Sequence, residues 1–190
     1  RAGNQTLVVM DTSEIPDDYA ATPDSATVAR YAQEFTEISN LVIGSTSAWL
    51  STHRPIWAVA SFLSNDSPQI AFTDRTLQAA LRNSEDQRFP ETIEMLIAGH
   101  VHQFEMLTFT DGRPTPLVFG GGATKLDPEI TDAILASNSS VLQELGVARQ
   151  DFTSIHDIDF GVIESSSDGW RITIKNAEGQ DEATYLVQGR

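Results

Sequence analysis

The chain has 190 residues and a mass of 20.8 kDa, enough for one domain with a substantial core. It carries 12 basic and 27 acidic residues, and the net charge of −15 predicts repulsion from a nucleic-acid duplex. Its longest mainly apolar run, 56–63, is much shorter than the ~20 residues of a membrane-spanning helix, so no membrane partner is expected. The absence of cysteine excludes disulfides, thiolate nucleophiles and cysteine-ligated metals.

Short apolar runs and amphipathic segments alternate along the chain. Apolar runs bounded by turn residues predict strands, and apolar residues spaced by three and four predict helices. In chain order the sequence predicts a strand over 6–10, a helix over 25–38, strand-like runs over 48–53 and 56–63, a helix over 74–82, a strand over 93–98, extended runs over 104–109 and 116–119 around the turn at 111–112, a helix over 128–145 interrupted at 137–140, and a meander of strands over 160–164, 170–175 and 183–187. This order favours a mixed α/β domain.

Two histidines follow a predicted buried strand in the pattern His-x-His. If the backbone is extended there, His100 and His102 point to the same side, and Gly99 permits a close approach or a positive φ. Imidazole is a common ligand of divalent metals, so the pattern indicates either a metal site or two polar residues at a strand end. His53 precedes the forced turn at Pro55 and has the same two interpretations, metal ligand or half-buried structural histidine.

The two histidine motifs occur in a characteristic order. Ser-Thr-His-Arg-Pro at 51–55, followed by Ile-Ala-Gly-His-Val-His at 97–102, resembles the last two motifs of the calcineurin-like metallophosphoesterases. The strand and Asp-Thr at 8–12, the strand and glycine turn at 116–122 and the segment 159–164 are similar to the elements that surround those motifs in the family. The resemblance extends over most of the chain.

The resemblance implies a fold. It is the C-terminal half of a four-layer α/β/β/α sandwich with mixed sheets, in which 1–190 form the C-terminal part of a single domain and 156–190 its closing antiparallel strands. The family's early motifs, Asp-x-His, Gly-Asp-x-x-Asp and Gly-Asn-His-Asp/Glu, do not occur in this sequence. We therefore expect the chain to be part of a longer catalytic domain.

The resemblance also implies a chemistry. The family binds two divalent ions, of manganese, iron or zinc, and hydrolyses phosphoesters with an activated hydroxide. By resemblance, His53 and His100 would ligate one ion and His102 the other, a small phosphoester would be the substrate, and no other catalytic residue is assigned within the chain. Because the early ligands are missing, we expect the isolated chain to be nearly inactive.

A non-catalytic binding or accessory domain that keeps the half-fold is the alternative function. In either case, half of a sandwich exposes strand edges and an apolar face, which predicts association with the missing N-terminal half or with a second copy. Three other polar features are interpreted as structural: Asp11 as a strand-end cap, His156 with its neighbouring aspartates as a solvated edge, and the run 120–125 as a tight turn rather than a phosphate loop.

Overall fold

The computed structural model describes residues 5–16, 22–72, 74–122 and 125–189. Its four helices are α1 (Ser25–Leu41), α2 (Arg75–Asn83), α3 (Asp132–Ser137) and α4 (Ser139–Leu145), with a short 3₁₀ turn at Arg149–Asp151. Its strands are β1 (Gln5–Met10), β2 (Ser47–Thr52), β3 (Val59–Ser64), β4 (Ser67–Phe72), β5 (Ile93–Ala98), β6 (Phe104–Leu107), β7 (Thr115–Phe119), β8 (Phe152–Ile155), β9 (Asp159–Ser166), β10 (Gly169–Asn176) and β11 (Asp181–Gln188). The predicted mixed α/β class is confirmed.

A six-stranded mixed sheet organises the chain in the order β1-β2-β5-β7-β6-β8. The first four strands run parallel, whereas β6 is antiparallel to both of its neighbours. Parallel strands end at the same edge of a sheet, so the residues that follow β1, β2 and β5 meet at its carboxyl edge. The two predicted histidine motifs therefore fall at one edge.

The six-stranded sheet is covered on both faces. Alternate side chains of β2 show this, because Ala48 and Leu50 pack into the core formed with the helices, whereas Trp49 packs against the smaller antiparallel sheet β11-β10-β9. Trp49 and Trp170 meet edge to face, with ring centroids 4.7 Å apart. The described residues thus form three layers, helices, mixed sheet and antiparallel sheet, and the fourth layer of the resemblance stays a prediction.

Local signals place the helix ends. Asp24 caps α1, its Oδ2 accepting from the Thr27 N–H at 2.8 Å, and Asp74 caps α2 through the Leu77 N–H at 3.0 Å. Gly146 adopts a left-handed conformation, φ 69°, and ends α4. Within the described ranges, no helix is long and apolar enough to cross a membrane.

One hairpin departs from the prediction. The apolar run 56–63 enters β3, which pairs with β4 outside the main sheet through a turn at Asn65 and Asp66, both with positive φ. The predicted closing meander is confirmed as β9–β11, although it begins at Asp159 rather than at His156.

Candidate functional site

Hydrogen bonds join the chain segments that leave β1, β2 and β5. The Thr12 hydroxyl accepts from the Arg54 backbone N–H at 2.7 Å, and the Thr52 hydroxyl donates to the Arg54 carbonyl at 2.6 Å. The Gly99 N–H donates to the His53 carbonyl at 3.2 Å. These bonds hold the loops after β2 and β5 side by side. The backbone positions of His53 and His100 are therefore fixed relative to each other.

His53 and His100 come together at this edge. Their ring centroids are 5.1 Å apart and the ring planes lie at 68° to each other. His100 has a φ of 71°, a left-handed conformation that is strained for a residue with a side chain. Non-glycine strain of this kind is concentrated at functional sites.

The expectation of an extended His-x-His segment is wrong. β5 ends at Ala98, and the next residues form tight turns in which Val101 donates to Gly99 at 2.8 Å and Gln103 to Val101 at 2.9 Å. The positive φ falls on His100 instead of Gly99, whose α-hydrogen faces open space. The two histidines of the motif therefore do not share one direction by strand alternation.

Arg54 is a member of the site that the sequence did not single out. Its side chain is buried, and Nη1 lies 3.0 Å from Nε2 of His100. A guanidinium has no acceptor, so Nε2 of His100 must be the acceptor and the imidazole proton must lie on Nδ1. The lone pair that a metal would use at Nε2 is engaged by Arg54.

His102 is held by Asp127. The His102 backbone N–H donates to Oδ2 at 2.8 Å, and Nδ1 of the ring is 3.7 Å from Oδ1. The Asp127 carbonyl also lies 2.7 Å from Nε2 of the exposed His156. A carboxylate beside one ring nitrogen is the usual outer partner of a metal-binding histidine, and it leaves Nε2 of His102 for another contact.

The strand ends supply one further charged group. Asp11 is exposed, and the Ser13 N–H, 2.9 Å from Oδ1, lowers the pKa of its carboxyl group, with smaller lowering effects from electrostatic interactions with His53 and Arg30. Its bond to Ser13 agrees with the prediction of a strand-end cap. Its electrostatic interaction with His53 places a carboxylate near the histidine pair.

A buried acid lies next to the turn over 99–103, which contains His100 and His102 and is called the histidine turn below. Glu105 in β6 is fully buried; its Oε2 accepts from the Val59 N–H at 2.9 Å and its Oε1 from Nε2 of Gln103 at 2.7 Å. Burial raises the pKa of Glu105 to about 8, against the lowering effect of these two donors, and the negative charge of Asp127 adds to the rise. The only sequence signal was one acidic residue within the apolar strand 104–107.

A second buried acid packs against Gly121. Asp159 is 4% exposed, and neither carboxylate oxygen has a hydrogen-bond partner within the described residues. Burial raises the pKa of Asp159 to about 6, with smaller contributions from Glu182 and Asp157. A Cβ at Gly121 would overlap this carboxylate, which explains the glycine there. The tight turn predicted over 120–125 includes positions 123–124, which lie outside the described residues.

The histidines fit a metal in part. Two imidazoles at adjacent strand ends are suitable ligands for one borderline divalent ion, which needs ~4 or more ligands in total. In the part of the chain that the structure describes, no group of three or more His, Asp or Glu side chains is arranged to hold a metal ion. His53, His100 and His102 therefore stay predicted ligands, and a complete two-ion site is not formed by these residues.

Comparison with solved structures gives a fold similarity. The structure of GAP50, described as the anchor in the inner membrane complex of Plasmodium, matches 97% of this chain with a TM-score of 0.61 and 14% sequence identity. The match covers 49% of that protein, so this chain spans about half of its length. At this identity the similarity establishes a shared fold and nothing about activity.

Two structures of Vps29 from Entamoeba histolytica are more distantly similar. A single mutant and the wild type complexed with Zn²⁺ give TM-scores of 0.32 and 0.33 at 12% and 11% identity. The alignments cover 94% and 97% of this chain and 97% and 99% of those chains. These scores are too low to carry any argument about this chain. No family model and no curated protein matches the sequence.

Proposed function

We propose that this chain supplies late histidine ligands of a metal-dependent phosphoester hydrolase, within a four-layer domain completed by residues outside it. The observation that carries the proposal is the convergence of His53 and His100, 5.1 Å apart at the ends of two adjacent parallel strands. The order of the two sequence motifs that contain these histidines also supports their assignment as metal ligands. The substrate would be a small phosphoester, since the acidic chain disfavours a polyanion.

Each residue of the edge has a role in this proposal. His53 and His100 would ligate one ion and His102 a second one, of manganese, iron or zinc. A divalent ion bound there would stabilise negative charge on a phosphoryl group and make water a stronger acid. Asp127 lies beside Nδ1 of His102, and Arg54 would have to release Nε2 of His100 before that ring could ligate an ion.

Titration with Zn²⁺ tests the ligand set directly. In NMR spectra of the imidazole rings of ¹⁵N-labelled protein, we expect the signals of His53 and His100 to shift together, because their rings are adjacent. The ring signals of His156 should not shift. His53→Ala and His100→Ala should each weaken Zn²⁺ binding by about 10-fold or more, since each removes a ligand. His156→Ala is the matched control and should leave the affinity unchanged.

Turnover tests the hydrolase itself. In the polypeptide that includes the remainder of the domain, His100→Ala should lower hydrolysis of bis(4-nitrophenyl) phosphate on the order of 100-fold or more, because a metal ligand is lost. The 190-residue chain alone should show almost no turnover. Unchanged turnover in the His100→Ala variant, or a Zn²⁺ response of His156 equal to that of His53, would contradict the site assignment.

A non-catalytic binding or accessory domain is the second candidate. The contact between Arg54 and Nε2 of His100 favours it, because a guanidinium at that nitrogen opposes a metal cation there. GAP50, whose fold this chain shares, is described as an anchor, which is a binding role. Histidine rings that do not respond to millimolar Zn²⁺, together with a folded protein, would favour this second candidate.

Association through the edge strand β1 is part of both candidates. β1 pairs only with β2 among the described strands, and Leu7 and Val9 on one face of it are 60% and 74% exposed. An unpaired edge with exposed apolar side chains is a site for strand or sheet addition. We propose that the remainder of the domain, or a second copy of the chain, covers it.

Sedimentation checks this association. The 190-residue chain should form dimers or larger species at micromolar concentrations, and Leu7→Lys with Val9→Lys should shift it to monomer, because charged residues block an edge. Leu41→Lys with Ile43→Lys is the control, since those side chains are equally exposed but lie at the end of α1. A wild-type monomer at near-millimolar concentration would overturn the proposal.

A further inference from the structure

A cavity of about 550 Å³ is lined mainly by segments at the amino ends of β5 and β7, together with Trp57 from the segment after β2. Its walls come from α2, from residues 87–91 before β5, from residues 111–114 before β7 and from the end of α4. Because β5 and β7 are parallel, their amino ends lie one strand length, ~20 Å, from the carboxyl edge that carries His100. The volume is in the range of small-molecule sites.

Buried aromatic rings form one side of the cavity. Trp57 and Phe89 line it and meet edge to face, with centroids 6.1 Å apart and an interplanar angle of 86°. Trp57 also packs against Phe109 at 5.4 Å. Trp57 is 6% and Phe89 5% exposed, and the Arg113 guanidinium lies over the Trp57 ring at 5.3 Å, so the rings form a rigid base of which only a small part reaches the cavity.

Arg113 forms a rigid second side. Its guanidinium carbon lies 3.5 Å from the ring centroid of Phe109, and its Nη2 donates to the Leu145 carbonyl at 2.9 Å. Its Nε donates to both oxygens of Asp111, at 3.0 and 2.9 Å. The charges of Arg113 and Asp111 neutralise one another, so this pair shapes the cavity without selecting the charge of a ligand.

Two further arginines line the cavity with no such partner. Neither Arg82 nor Arg88 forms an ion pair or a hydrogen bond within the ranges that the structure describes, and both are exposed. In a chain of net charge −15 with 12 basic residues, two unengaged guanidinium groups at one aromatic cavity favour an anionic ligand. Glu91 and Glu144 also line it and oppose a ligand with several negative charges.

The cavity wall contains backbone strain. Gln87 has a φ of 57°, a left-handed conformation, and its N–H donates to the Ser84 carbonyl at 3.2 Å. Such a conformation is strained for a residue with a side chain and is retained where the surrounding structure fixes it. The strained turn positions Arg88 beside Phe89 at the cavity.

We propose that this cavity binds a monocarboxylate with an apolar body. The apolar body packs against a lining that includes Leu81, Pro90 and Leu145 above the aromatic base, and the carboxylate pairs with Arg82 and Arg88. The site is independent of the histidine edge and of the metal chemistry proposed for it. An apolar lining and two guanidinium groups at one cavity are the features that recognise this ligand class.

Naphthalene-1-carboxylate is the probe, and the uncharged naphthalene-1-methanol is its control. We expect the carboxylate to shift the indole N–H signal of Trp57 and to leave those of Trp49 and Trp170, which pack between the sheets. The carboxylate should bind at least 10-fold more tightly than the alcohol, because only the carboxylate engages the guanidinium groups.

Variants separate charge recognition from general apolar binding. Arg82→Gln with Arg88→Gln should weaken carboxylate binding by about 10-fold or more and leave the alcohol unaffected, because both side chains are exposed and the fold does not depend on them. Arg171→Gln, an exposed arginine on β10, is the matched control. Equal binding of the two probes, an unaffected double variant, or equal shifts at all three indoles would overturn the proposal.

Discussion

Gly120→Ala is expected to destabilise the chain by about 3 kcal/mol or more and to disrupt the histidine turn. A Cβ at this position would overlap the Val101 carbonyl and press on the Cα of His102. Both contacts are with backbone, which cannot move aside as a flexible side chain can. The Gly120 N–H also donates to the Gln103 carbonyl at 3.3 Å, so the backbone after β7 is bonded directly to the turn that precedes β6. Thermal unfolding and the ring signals of His100 and His102 measure the two effects.

Gly99→Ala provides the matched control for this substitution. Gly99 immediately precedes His100, but a Cβ there would meet no atom within 4 Å and its φ is not positive. Replacing such a glycine restricts the unfolded chain and should change the unfolding free energy by less than about 1 kcal/mol. Equal melting temperatures for the Gly99→Ala and Gly120→Ala proteins would show that close packing at Gly120 is not a constraint on the turn.

The sequence predicts the helices and strands that have a clear hydrophobic periodicity. Elements with clear periodicity were placed well: β5 matches the predicted strand over 93–98, and α1 extends the predicted helix over 25–38 to Leu41. The hairpin of β3 and β4 was missed because its turn residues, Asn65 and Asp66, lack the glycine that usually marks such a turn.

The candidate site was predictable only where its residues follow strands. Strand ends at a shared edge brought His53 and His100 together, as the order of the motifs indicated. Arg54 and Asp127 were missed as partners because their contacts join residues 46 and 25 positions apart, and no local pattern encodes such pairing. The left-handed φ at His100 depends on the turn after β5, which sequence spacing does not specify.

Glu105 should make the stability of the chain fall as the pH rises. Its pKa is about 8 in the folded chain and near the ordinary value of 4.5 when unfolded, so the folded chain binds the additional proton between these values. Stability is therefore greatest below about pH 4.5, with respect to this group, and is lost progressively as the pH approaches 8. The loss is on the order of several kcal/mol at most, because one pKa unit corresponds to about 1.4 kcal/mol.

Glu105→Gln should remove this dependence and stabilise the protein above pH 8. The uncharged amide keeps an acceptor for the Val59 N–H, and a rotated Gln103 amide can present its oxygen, which has no partner in the buried geometry, to the new NH₂ group. The gain should vanish near pH 5, where the wild-type carboxyl group is already protonated.

The measurement is the difference in unfolding free energy between Glu105→Gln and wild type from pH 5 to pH 9. Taking the difference cancels the contribution of Asp159, whose raised pKa of about 6 gives a dependence of the same sign. Asp127 also faces Glu105 electrostatically, and Asp127→Asn should lower the pKa of Glu105 and reduce the difference. Glu164→Gln on the exposed face of β9 is the control and should give a flat difference. A flat difference for Glu105→Gln as well would mean that the buried carboxyl group is ionised throughout, held by Val59 and Gln103 strongly enough to offset its burial.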